Sequence, residues 1–154
     1  FHHECGYWPD MRFVKECCSL AEVTAAPPSW CGGHAGIALF YLECYLHWPA
    51  LKQRAQQGLE RCVAIMVKSS ENQLQVPNLC CGFYGDLDLL HLIDQRVNDM
   101  AFDGLKETID KLHGISQETS LDSFFVGLFH GIPSYLYFNL RHQFPESMPS
   151  ALYW

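Results

Sequence analysis

The sequence predicts an all-α fold built from repeats, and three observations carry that reading. Glycine turns recur at a fixed step. Gly33 and Gly36 lie in WCGGHAGI (Trp30 to Ile37), Gly82 and Gly85 in LCCGFYGD (Leu79 to Asp86), and Gly131 and Ser134 in LFHGIPSY (Leu128 to Tyr135), each set 49 residues after the last. A nearly continuous apolar run follows each turn, and amphipathic stretches at helical spacing separate the turns. A fixed step marks a repeat architecture, in which equivalent turns take equivalent places in space.

Taken in order, Met11 to Ala21 predicts part of an outer helix, and Pro27 and Pro28 punctuate the approach to the first turn. Ile37 to Tyr45 is apolar apart from Glu43 and predicts an inner, largely buried helix. Ala50 to Ser69 places Leu51, Ala55, Leu59, Cys62, Val63 and Met66 on one helical face. That is an outer helix with one wet side. Ser69 to Asn78 is a loop, closed by Pro77 before the second turn. Leu87 to Ile93 predicts the second inner helix, and Asn98 to Leu112 the second outer one. Gly114 to Asp122 is a loop, and Ile132 to Leu140 predicts the third inner helix. No alternation of the strand type persists. Three such repeats make an open arc or partial barrel rather than a ring. Residues 1–154 therefore read as an incomplete set of repeats.

Composition narrows the function. The chain has 154 residues, 49% of them apolar, enough for a real core and too apolar for disorder. The formal charge of −7, with no basic stripe, argues against a nucleic-acid partner. The longest stretch without Asp, Glu, Lys or Arg, Ser123 to Leu140, holds Gly127, His130, Gly131, Pro133, Ser134 and Asn139. It suits a loop and a buried helix better than a bilayer span. The chain opens at Phe1 with no secretory signal pattern. Among eight cysteines, Cys17–Cys18 and Cys80–Cys81 are adjacent pairs, which argues against a disulfide framework and for a reducing cytoplasm.

Cys31 and Cys80 are 49 residues apart, each two residues before its glycine, and Cys81 follows Cys80. The repeat thus brings three soft ligands to one face, the donor set for a thiolate-bound Zn²⁺ with an open fourth position. Three thiolates on Zn²⁺ carry a net charge of −1, so the centre is a weak Lewis acid. It suits activation of a substrate thiol better than activation of water. A closed four-cysteine site completed by Cys17 or Cys18 is the structural alternative, although the chain lacks the usual CxxC pairs. Cys44 and Cys62 read as small buried hydrophobes. Gly33, Gly36, Gly82 and Gly85 allow close backbone approach before each helix. His130 precedes Gly131 as Cys81 precedes Gly82, so it is the candidate catalytic histidine, a proton donor or a substrate-orienting group. A histidine simply bonded at a helix start is its bland counterpart. His34 lies within the first turn. His47, His91, His113 and His142 read as helix-surface or helix-terminal residues. Asp86, Asp88 and Asp94 are the carboxylates nearest an inner helix, and they make no convincing pair for glycosidase-type chemistry.

These motifs resemble those of the lanthionine synthetase cyclase family, the LanC-like proteins. WCGGHAGI resembles the family's first zinc motif, LCCGFYGDLDLL its second, and GLFHGIPSY (Gly127 to Tyr135) its last glycine motif. WPDMR (Trp8 to Arg12) and the ending PSALYW (Pro149 to Trp154) are similar to segments of the bifunctional class II synthetases. The resemblance implies an α/α toroid of which this is the C-terminal part. It implies zinc on Cys31, Cys80 and Cys81, and thioether formation between a peptide cysteine and dehydroalanine or dehydrobutyrine. The implied partners are a dehydrated precursor peptide and the N-terminal remainder of the same protein, in cytoplasmic bacteriocin biosynthesis. Cys81 stands where most members have His, as in the Cys-Cys-Gly subgroup, and Gly32 replaces a polar or aromatic residue. The family's catalytic His and Asp come from earlier repeats, so the segment alone is expected to bind zinc rather than to turn over. A non-catalytic thiol- or peptide-binding module on the same scaffold is the alternative.

Overall fold

The computed structural model describes residues 30–31, 33–72, 78–117, 126–127 and 129–153. Among these residues five α-helices run in the order α1 (His34–His47), α2 (Lys52–Asn72), α3 (Phe83–Arg96), α4 (Leu105–Gln117) and α5 (Ile132–Gln143). The inner helices α1, α3 and α5 start 49 residues apart, so the glycine step of the sequence is the step of the fold. The class is all-α, consistent with a segment of an α/α toroid. The outer helix expected over Met11 to Ala21 lies outside the described residues.

α3 lies at the centre of this arrangement. Every residue from Phe83 to Ile93 is buried, because α1, α2, α4 and α5 all pack against it. α1 pairs most closely with α2, and Leu42 of α1 shares the buried core with Leu59, Cys62 and Met66 of α2. Cys44 and Cys62 are indeed buried, and burial pushes the Cys62 thiol up to about 12, which leaves it inert. α4 contributes Ile109 and Leu112, and α5 contributes Phe138, which stacks on Tyr84 at 5.2 Å.

Several boundaries differ from the sequence reading: α2 runs on to Asn72 and α4 to Gln117, into the stretches read as loops. The second outer helix starts at Leu105 rather than Asn98. Asp99 accepts a bond from the Ala101 N–H at 3.0 Å and caps a single 3₁₀ turn, Met100–Phe102. Gly104, at φ +82°, then breaks the path before α4. The same Asp99 carboxylate accepts bonds from Tyr45 of α1 and Gln56 of α2, both at 3.3 Å, tying the first repeat to the second. A two-residue antiparallel pair also forms, β1 (Val126–Gly127) against β2 (His130–Gly131). It is too short to show strand alternation in the sequence.

Buried polar groups lock α5 and the chain after it onto α3. Asp88 and Arg141, both almost fully buried, form an ion pair. Ser150 donates to Asp88 at 2.7 Å, and Arg141 donates to Gln95 Oε1 at 3.1 Å and to the carbonyls of Pro145 and Met148. Burial pushes the Asp88 carboxyl up, while Arg141 and Ser150 pull it back toward the charged form.

Of the histidines at 91, 113 and 142, expected at helix surfaces or helix ends, His142 does lie in the last turn of α5, whereas His91 is buried within α3. The three meet where α3, α4 and α5 join. His91 is 7% exposed, and its Nε2 lies 3.0 Å from His142 Nδ1. The His113 and His142 rings stack at 3.9 Å. Asn139 donates to the Tyr135 carbonyl, so its Oδ1 accepts from His113 Nε2–H at 3.0 Å. Imidazole hides its apolar edges against Phe138 while its nitrogens bond to one another, which makes an interior place possible. Burial first, then the neighbouring His142, Arg141, His113 and Lys106 charges, push His91 down to about 3.

Two outcomes follow for stability. Arg141→Met leaves Asp88 buried without its partner and is expected to cost about 3–5 kcal/mol in urea unfolding, most of it recovered by adding Asp88→Leu. His91 stays neutral when folded but takes a proton near pH 6.5 when unfolded, so its contribution is present above that value and lost as pH falls toward 3. Between pH 7 and about 5, the wild type should lose about 2 kcal/mol more than His91→Leu. Parallel pH dependences in the two proteins would contradict this.

Candidate metal centre

The site is built by turns that the chain cannot hold on its own. Residue 36 sits where a Cβ would come within 2.3 Å of the Trp30 carbonyl oxygen, and residue 85 where it would come within 2.0 Å of the Leu79 carbonyl oxygen. Only glycine allows the helix start to close on the carbonyl six residues earlier, and the same contact is made in both repeats. The turns then pair through their backbones. Trp30 N–H donates to the Cys80 carbonyl at 2.8 Å, and Leu79 N–H donates to the Phe129 carbonyl at 3.1 Å. The three motif turns are thus joined in series.

These bonds bring the sulfurs together. Cys31 Sγ lies 3.4 Å from Cys81 Sγ, and Cys81 Sγ lies 3.4 Å from Cys80 Sγ. All three are within 4.8 Å of one another. Cys31 and Cys81 are exposed, whereas Cys80 is half-buried beneath them. Asn78 was not singled out from the sequence, yet it positions Cys81: its Oδ1 accepts the Cys81 N–H at 2.6 Å. The signal was present as an Asn three residues before the cysteine, at the mouth of a turn.

The electrostatics favour a cation. Burial first, then hydrogen bonds to Cys81 and Cys31, push the Cys80 thiol up to about 12. Thiols this close cannot share their negative charge without a counter-ion. A divalent soft cation reverses that balance by stabilising the thiolates. α1 and α3 begin just after the cysteines, from extended Gly33 and Gly82 that make no side-chain cap. Their first N–H groups add partial positive charge near the sulfurs. The donor set and its convergence fit Zn²⁺. Among the described residues this is the one cluster of three or more His, Cys, Asp or Glu groups able to hold an ion.

The remaining candidates divide. His130 lies in β2 opposite Gly127, next to Phe129, whose carbonyl bonds the cysteine turn. Its side chain is outside the described part, as are Cys17 and Cys18. His34 is buried at the first turn of α1, and burial pushes its imidazole down. The inner-helix carboxylates form no pair. Asp88 is engaged by Arg141 and Ser150, and Asp86 is 1% exposed with both oxygens lacking a hydrogen-bond partner. Burial raises the Asp86 carboxyl well above its usual range. No helix among the described residues is long and apolar enough to cross a membrane.

The turn geometry predicts unequal effects of adding one methyl. Gly85→Ala drives a Cβ into the Leu79 carbonyl and is expected to cost about 1–3 kcal/mol or more, together with metal retention. Gly114→Ala in α4 meets nothing within 4 Å and should stabilise by about 0.5–1 kcal/mol. Thermal unfolding and bound-metal content measure both, and equal effects at the two sites would contradict the account.

A family model described as Lanthionine synthetase C-like protein matches residues 1–153 of the chain. No curated protein and no solved structure matches it.

Proposed function

The chain belongs to the lanthionine synthetase C-like family, and on that premise we propose that it is the C-terminal, zinc-binding segment of a peptide thioether cyclase. Family membership supports a lanthionine cyclase-type function in general and a peptide as substrate. The observation that carries the finer reading is the meeting of three thiols, from two repeat turns, on one exposed face.

In this reading Cys31, Cys80 and Cys81 hold the ion. Zn²⁺ supplies a soft cation that stabilises a substrate thiolate at neutral pH while leaving the sulfur electron-rich. The protein's own groups do the rest. Asn78 and the Trp30–Cys80 backbone bond fix the ligands before the substrate arrives. Exposed Cys31 and Cys81 keep the face open to a peptide. The reaction is addition of a peptide cysteine across the double bond of dehydroalanine or dehydrobutyrine, with a proton delivered to the α-carbon. His130, on the neighbouring turn, is proposed as the group that moves that proton. Its partners are a dehydrated precursor peptide and the upstream part of the same domain, in a class II synthetase of the Cys-Cys-Gly type. The proposed setting is the cytoplasm, in bacteriocin-type peptide biosynthesis.

Elemental analysis of the segment should find about one zinc per chain. Cys31→Ala should weaken zinc binding by more than about 100-fold, since even supporting residues around a metal cost 10- to 100-fold. In the full-length protein, Cys80→Ala should abolish ring formation on a dehydrated peptide while peptide binding persists. A metal-free wild type would contradict the zinc assignment. Zinc and peptide binding with no ring formation by the wild type would support a non-catalytic thiol- or peptide-binding module instead.

A further inference from the structure

The geometry points to a second class of ligand for the same three sulfurs: a pyramidal, three-coordinate ion, namely trivalent arsenic taken up as arsenous acid. Tetrahedral zinc with bonds of about 2.3 Å sets its sulfurs about 3.8 Å apart. Two edges of this triangle measure 3.4 Å and the third lies within 4.8 Å, so zinc must lengthen the two short edges by a few tenths of an ångström. A trivalent arsenic atom carries a lone pair that closes its bond angles below the tetrahedral value. It needs three converging sulfurs more closely spaced than zinc does and no fourth ligand, and two of the three spacings here already lie below the zinc value.

Access and preorganisation agree with this. Cys31 and Cys81 are exposed and Cys80 forms the half-buried base, so an incoming species meets the two outer thiols first and then the third. The Trp30–Cys80 backbone bond holds the two turns together and the Asn78–Cys81 bond fixes the second one in the free protein, which reduces the ordering cost of binding. Cys44 and Cys62 are buried on helix faces away from this cluster and offer single thiols only. The step balances without an oxidant or reductant. Three S–H bonds and three As–OH bonds break, three As–S bonds form, and the thiol protons leave with the hydroxyls as three waters while arsenic stays trivalent. The inference needs the sulfurs to converge but does not need the cyclase reading.

The test uses the full chain with Cys5, Cys17 and Cys18 changed to Ser, stripped of metal and kept reduced with a phosphine rather than a thiol. Titration with arsenite should give one arsenic per chain by native mass spectrometry, consume three titratable thiols and block subsequent zinc uptake. Cys31→Ser in that background should bind arsenite more than about tenfold more weakly, because one arm of the chelate is gone. Phenylarsonous acid, which requires two thiols, should still bind that variant through Cys80 and Cys81, and circular dichroism should show the helices intact. Arsenite binding of equal strength in wild type and Cys31→Ser, or no loss of thiols in the wild type, would overturn the inference. Arsenite binding without cyclase activity would leave it standing, so its failure and that of the cyclase reading are separable.

Discussion

Two backbone hydrogen bonds between turns, Trp30 to Cys80 and Leu79 to Phe129, hold the functional surface together. They join segments that are 50 residues apart along the chain, and they do so through main-chain groups that no side-chain change can directly remove. Their formation depends on glycine at 36 and 85, where the helix start presses against a carbonyl oxygen. The cysteines occupy the outside of this backbone staple. Their convergence is therefore a consequence of how two repeats pack, and a face able to hold a metal is inherited from the architecture.

The architecture in turn depends on α3. Its neighbours cover it on every side, and its charged residue Asp88 is answered by Arg141 from the next inner helix and Ser150 from the chain after it. Such a buried pair adds little net stability over an apolar one, but it penalises any register in which the partners miss each other. The imidazole cluster at the α3–α4–α5 junction acts in the same way one residue further along α5. Asp86 is the exception: a buried carboxyl with no hydrogen-bond partner among the described residues, its pKa raised by burial. Its cost is tolerated in the first turn of the helix that carries the cysteine motif.

The repeat step was legible because glycine turns and cysteines are sparse and their spacing is unambiguous. It placed the three inner helices and brought Cys31, Cys80 and Cys81 together, as the distances bear out. The outer-helix boundaries were less legible, because the Asp99 cap and the Gly104 turn intervene in a stretch whose apolar spacing stays helical. The meeting of His91, His113 and His142 was hidden for a different reason. Each alone lies on a polar-looking position, and only the packing of three helices makes their nitrogens mutual partners. Arg141 likewise gives no local sign that it is buried, since its partners come from residues 46 to 53 positions earlier and from the turn that follows it.

The central claim is that three sulfurs from two neighbouring turns share one ion and leave one position open. X-ray absorption at the zinc edge tests it most directly on the zinc-loaded protein. The account predicts three sulfur neighbours at about 2.3 Å and one lighter atom, falling to two sulfurs in Cys31→Ser. Four sulfurs, or a sulfur count that does not change when Cys31 is replaced, would contradict it.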